Sequence, residues 1–215
     1  MASRQQIKQR IGSVRNTRQI TRAMQLVAAS KLRHAQEAVV RPRAYAQLAR
    51  EILTRLRQVA GDESEFRLFT ARPVKRRLII TMTSDLGLAG AYDANVIRIM
   101  LEEAKSDRSK GVKTSVIAIG RKSAQAASRI SGLEVEAVYT KLPDKPTADD
   151  LRPILTSVVG MFADGHIDQV DMIFTKFVSS ISQKTQMQRL LPAGFEETPL
   201  NDELAQQMWR YGSNR

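Results

Sequence analysis

The sequence predicts an α/β protein made of a long N-terminal helix of coiled-coil type and a layered α/β domain of about five strands. Three observations lead there. A hydrophobic seam with alternating steps of four and three residues starts at Ile7 and its pattern persists to Val59. From Arg72 onward that spacing gives way to short apolar runs alternating with helical patterns. Charge is divided the same way. Thirteen basic residues up to Val59 face only Glu37 and Glu51, so this stretch carries +11 of a formal net charge of +12.

The seam runs through Ile7, Ile11, Val14, Arg18, Thr21, Gln25, Ala28, Leu32, Ala35 and Val39, apolar at both ends and polar in the middle. A second line, Ile20, Met24 and Val27, covers the polar stretch from the neighbouring face. Past Pro42 the pattern resumes with Tyr45, Leu48, Ile52, Leu56 and Val59. As one helix, residues 4–59 would span about 84 Å at roughly 1.5 Å per residue, more than the width of a small domain. Gly12 weakens it locally, by about 1 kcal/mol relative to Ala. Pro42 removes a hydrogen bond and clashes one turn back, which predicts a bend near 39–42. A lone basic helix with so narrow a seam needs a partner helix or a socket to be rigid in water.

The body is read in order. Lys75 to Thr83 is a strand, followed by a loop over Ser84 to Ala91 and a helix from Ala94 to Asp107. Thr114 to Ile119 is a second strand closed by Gly120, with a helix over Lys122 to Ile130. Leu133 to Tyr139 is a third strand. Thr147 and the acids Asp149 and Asp150 supply an N-cap and a first turn for a helix reaching Ala163. Gln169 to Phe177 and Thr185 to Leu191 form a final hairpin through Ser179 to Ser182. Strands alternating with helices give a Rossmann-like layered domain. The expected organisation is a shaft helix over 1–60, a linker over 61–72, the α/β domain over 73–195 and a short tail over 196–215.

Composition narrows the function classes. The chain has no Cys among its 215 residues, so disulfides and thiolate metal sites are excluded. No apolar run approaches the roughly 18 to 20 residues that cross a bilayer. The acid-free, Arg-bearing start resembles a transit peptide, but its helical period continues well past a normal cleavage point. His34 and His166 are far apart, and no nucleophile-plus-base pattern appears. Glu102 and Glu103, Asp149 and Asp150, and Glu196 and Glu197 come as adjacent pairs, the usual pattern of solvated faces and caps. The loop Asp85-Leu-Gly-Leu-Ala-Gly90 stands where a phosphate-binding turn would lie, but it lacks the first tight-turn glycine of the dinucleotide fingerprint. There is no G-x-x-x-x-G-K-[ST] motif. Neither a catalytic centre, a cofactor nor a metal is expected, which leaves a binding or mechanical role.

The run from Ile7 through Gln25-Leu-Val-Ala-Ala-Ser-Lys-Leu-Arg33 strongly resembles the N-terminal helix of the gamma subunit of F-type ATP synthases. The likeness continues through Arg41-Pro-Arg-Ala-Tyr45 and recurs at Thr83-Ser-Asp-Leu-Gly-Leu-Ala-Gly-Ala-Tyr-Asp-Ala-Asn-Val96. It covers roughly residues 3 to 195. The resemblance implies a non-catalytic shaft that turns inside a ring of alpha and beta subunits and is driven by a membrane c-ring, ATP being made on beta. It implies an α/β body that grips the epsilon subunit and the c-ring, at the cytoplasmic face of a bacterial plasma membrane, with membrane contact only through the complex. Carried over to this chain, the shaft contacts are Arg10, Arg18, Arg22, Met24, Val27, Lys31 and Arg33.

Some positions depart from the family pattern. Leu86 stands where Arg is usual, Ala89 where Cys or a small residue is common, and Ala91 where Gly is usual. After the α/β domain the family continues into a second long helix antiparallel to the first. Here Asn201 to Arg215 offers about two turns, which leads to the expectation of a short form, either a working rotor or a non-functional truncated subunit. Two readings compete with the shaft. A basic helix also suits nucleic acid, although stacking aromatics are missing from the arm apart from Tyr45. A dinucleotide enzyme rests on the glycine loop alone.

Overall fold

A computed structural model describes residues 3–40, 42–60, 67–143, 146–179 and 181–194. The tail expected over 196–215 and residues 61–66 of the linker lie outside the described residues. The chain divides into two units, Met1–Ile52 and Leu53–Arg215.

The N-terminal region is two helices, α1 (Arg4–Val40) and α2 (Arg43–Ala60). The interruption falls at Pro42, whose carbonyl accepts from the Ala46 N–H at 2.9 Å and so opens α2. Pro is well placed there, because the first turn of a helix leaves its N–H groups unused. α1 runs through Gly12 unbroken, with open space around that residue.

The second unit is a five-stranded sheet of β1 (Arg76–Met82), β2 (Lys113–Ile119), β3 (Glu134–Tyr139), β4 (Gln169–Phe177) and β5 (Gln183–Leu191), in the order β3-β2-β1-β4-β5. β1 to β4 are parallel and β5 turns back antiparallel on β4. Parallel strands require crossovers, supplied here by α3 (Tyr92–Ser109), α4 (Arg121–Ala127) and α5 (Ala148–Ala163). The helices split between the two faces. Val96 and Met100 of α3 and Ala127 of α4 pack with Ile79, Val116, Ala118 and Ile173. Ile154, Val158 and Phe162 of α5 pack with Leu78, Ile80, Ile117 and Val170. Because β1 is covered on both faces, its Leu-Ile-Ile run is buried throughout and cannot alternate. β3, at the edge, does alternate.

Several boundaries differ from the sequence expectation, each for a local reason. α3 begins at Tyr92, before Ala94, because the Asp93 carboxylate sits in its first turn and accepts from the Ser84 N–H (2.8 Å) and hydroxyl (2.7 Å). α4 ends at Ala127, short of Ile130. There the Arg129 and Ile130 N–H groups bond only three residues back, and Gly132 follows at φ 85°. β5 begins at Gln183, before Thr185, since the Val178 and Ser179 N–H groups both reach the Ser182 carbonyl and tighten the hairpin tip. α5 is closed at its start by a capping box, with the Asp150 carboxylate accepting from the Thr147 N–H at 2.7 Å. That hydrogen bond, then the Thr147 hydroxyl, holds Asp150 below the usual carboxylate range.

Candidate interaction site on the cationic helix

α1 is capped at its N-terminus by its own sequence. The Gln5 N–H donates to the Ser3 hydroxyl at 3.3 Å, and the Ser3 N–H donates to Gln6 Oε1 at 3.1 Å. The polar middle of the seam also resolves locally. Thr17 donates its hydroxyl to the Ser13 carbonyl at 3.0 Å, and Thr21 donates to the Thr17 carbonyl at 2.5 Å. A threonine bonded back in this way hides its hydroxyl and leaves its methyl outward, so it serves a seam better than its polarity suggests.

All seven residues carried over from the resemblance lie on α1 and are exposed. The helix does not gather them on one side. At about 100° per residue, Arg18, Arg22 and Arg33 fall within about 60° of one another. Met24, Val27 and Lys31 fall within about 60° on roughly the opposite side, with Arg10 between the two groups. Arg4, Lys8 and Arg15 join the first group, forming a cationic stripe beside the seam. The apolar seam stays open as well, with Val14 67% and Leu32 50% exposed.

The glycine loop of the body is chemically occupied by its own chain. Asp85 accepts from the Arg121 N–H (3.0 Å) and the Lys141 N–H (2.6 Å), tying together the ends of β1, β2 and β3. Asp93 fills the first turn of α3, where a phosphate would have to sit. Gly120 is needed for close approach. A Cβ there would stand 2.1 Å from the Thr83 carbonyl oxygen, and its φ is 100°. Leu86 and Leu88 are exposed at the loop tip. Among the described residues no three His, Asp or Glu converge as metal ligands would.

Sequence reading missed a buried ionic node. Arg77 reaches Asp171 (2.6 Å), Glu103 (2.7 Å) and Asp107 (3.1 Å), while Arg189 meets the second oxygen of Asp171 at 3.2 Å. Burial opposes the guanidinium charge, but the carboxylates, Asp171 foremost, outweigh it and hold Arg77 above its usual range. Glu103 is therefore not a solvated partner of Glu102, as its adjacency suggests; Glu102 pairs with Arg98 on the surface at 2.9 Å. The available signal was Asp171, which lies inside an apolar strand run and so is required to find a partner. A second anchor is Arg72, which pairs with Asp168 at 3.0 Å, donates to the Phe162 carbonyl at 2.6 Å and lies 4.6 Å from the Phe162 ring centre.

The profile of the ATP synthase family denoted ATP-synt matches residues 3–214. An ATP synthase gamma chain of Stenotrophomonas maltophilia is 35% identical over 211 residues, covering 98% of this chain and 72% of that one. The chain belongs to the ATP synthase gamma-chain family. A gamma chain from Desulfitobacterium hafniense is 40% identical over 192 residues, covering 89% of this chain and 66% of its own length. One from Thermosynechococcus vestitus is 37% identical over 193 residues, of which this chain spans only 61% of the length. In structure, a chain of the Tetrahymena thermophila mitochondrial ATP synthase central stalk and c-ring aligns with a TM-score of 0.62 at 22% identity, covering 88% of this chain and 85% of that one. A chain of the Euglena gracilis mitochondrial ATP synthase rotor aligns at 0.54 and 14%, covering 97% and 67%. At such identities these two establish a shared fold and nothing finer. No described helix is long and apolar enough to cross a membrane.

Proposed function

We propose that this chain is the central rotor-stalk subunit of a proton-transporting F-type ATP synthase. It carries torque between the membrane c-ring and the catalytic alpha/beta hexamer and makes no ATP itself. One observation carries the reading: in a gamma-chain family member, the helix resembling the shaft presents its nominated contacts on opposite sides. A one-sided groove would use a single face, whereas an encircling ring meets an axle from all directions. The small residues Ala23, Ala28, Ala29 and Ser30 leave clearance for turning. Exposed cations such as Arg18, Arg22 and Arg33 make contacts worth under about 1 kcal/mol each with acidic lever segments, weak enough to exchange at every step. In this reading the α/β body holds the epsilon subunit and the c-ring. The chain then sits at the cytoplasmic face of a bacterial membrane, touching it only through the complex.

The test is membrane complementation with this chain, measuring ATP formed under a proton gradient. No ATP formation, together with no retention of the chain by alpha and beta subunits at moderate salt, would refute the proposal. Tight, steeply salt-dependent binding to nucleic acid in the same assay would favour the competing reading instead.

A further inference from the structure

The buried guanidinium of Arg77 has its donors served unequally. Nε donates to Asp171 at 2.6 Å, and Nη1 donates to Glu103 at 2.7 Å and to Asp107 at 3.1 Å. Nη2 donates instead to the Met187 sulfur at 3.0 Å, and among the described residues it has no oxygen acceptor. A thioether accepts weakly, so a charged donor on a residue only 5% exposed is left short of acceptor on one side. Met187 lies on β5 opposite Ile173 of β4 and is 38% exposed. Met82, Met100, Met161 and Met172, the other described methionines of the body, are all more covered. Met187 therefore combines access to solvent with contact to a buried cation.

We propose that Met187 is a modification site at which hydrogen peroxide oxidises the thioether to the sulfoxide, and that Arg77 holds the product. A sulfur lone pair attacks one peroxide oxygen, and an S–O bond forms as the O–O bond breaks. The departing hydroxide takes the proton from the attacked oxygen and leaves as water. Sulfur is oxidised by two electrons, and the peroxide is reduced by the same two. The weak acceptor is thereby replaced by an oxygen of high negative partial charge, which accepts from Nη2 as an amide carbonyl would. In an apolar core a methionine sulfoxide disrupts packing. Here it supplies the acceptor that the thioether failed to provide. A change that the native state accommodates better than the unfolded chain stabilises the native state. Oxidation at this position accordingly fastens β5 to β1 across β4, where at a core methionine it would loosen the fold. The site is independent of the rotor reading, since it depends only on the ionic node of the body.

Brief treatment of the full chain with hydrogen peroxide, followed by peptide mass spectrometry and urea unfolding, tests this. Met187 should gain its oxygen before Met82, Met100, Met161 and Met172; oxidation of any of these four ahead of it would overturn the proposal. Treatment should shift the unfolding midpoint of the wild type upward relative to the shift that the same treatment causes in Met187→Leu. That comparison removes the contribution of every other methionine, and equal shifts or a relative fall in the wild type would overturn the proposal. Met187→Gln supplies an amide oxygen in place of the sulfoxide without any oxidant. Its midpoint should lie above that of Met187→Leu, and a midpoint no higher would show that Arg77 does not use an acceptor at this position.

Discussion

Ile79 of β1 has no exposed surface, whereas Ile20 of α1 is 61% exposed. The two side chains are the same, and both sit in regular structure. The body closes its apolar faces on itself: β1 is covered by α3 on one side and α5 on the other. The helix α1 leaves its seam open along its length. The contrast shows that patterning specifies which face of an element is apolar but not what will cover it. A body of this kind carries its own stability, while a helix of this kind carries surface for others.

The sharpest way to break this contrast is to attack the body at its ionic node. Arg77→Leu leaves Asp107 buried without its cation and Asp171 with Arg189 alone, and should cost about 3–5 kcal/mol of unfolding free energy measured in urea. Helical circular dichroism from α1 should be little changed. Phe162→Ala should act similarly, at about 3–5 kcal/mol, by opening a cavity between α5 and the sheet and removing the ring beside Arg72. If either variant melts the body and α1 together, the contrast between them fails.

Two glycines sharpen the comparison with opposite signs. Gly120→Ala should destabilise the body by about 1–3 kcal/mol, because the added carbon collides with the Thr83 carbonyl and the backbone is left-handed. Gly12→Ala should stabilise α1 by about 1 kcal/mol, as it has open space and gains helix propensity. Thermal unfolding followed by far-UV circular dichroism distinguishes the two.

Acid gives a smaller effect that belongs to the body alone. Burial tends to raise Asp168, but the Lys75 and Arg76 N–H groups, with Arg72 and Arg76 nearby, hold it below the usual carboxylate range. A depressed carboxylate stabilises the fold above its unfolded pKa, and that contribution is lost as pH falls through the folded value. Wild-type stability should therefore drop as pH falls below about 4, the ordinary carboxylate value, more steeply than that of Asp168→Asn. The smallest effect is expected from Arg22→Gln, within about 0.5 kcal/mol for unfolding, with reduced retention by alpha and beta subunits as its only clear consequence.

Much of the body was legible because its signals are local. β4 occupies Gln169–Phe177 and α5 ends at Ala163, both as read from apolar runs and a capping pair. The antiparallel hairpin was legible from the short Ser-rich connection between its strands. The end of α4 was not, since Ile130 continues the helical pattern while the turn that stops the helix depends on Gly132 and on packing. Nor was the Arg77 node. Its partner Asp171 is 94 residues away in the chain, and Glu103 presented itself as half of a surface pair. For the candidate site, periodicity alone divides Arg18, Arg22 and Arg33 from Met24, Val27 and Lys31.

By itself the sequence determined where helices and strands form, which side of each is apolar, and that the charge is concentrated in the first region. These are consequences of spacing and composition within a few turns of chain. Only the tertiary structure decided the strand order β3-β2-β1-β4-β5, the pairing of Arg77 with Asp171, and the contact that makes Gly120 irreplaceable by a larger residue. Those features join residues tens of positions apart, and many arrangements share one local pattern. The arrangement adopted is the one that buries both faces of β1 while pairing the buried Arg77, Asp107, Asp168 and Asp171 with counter-ions.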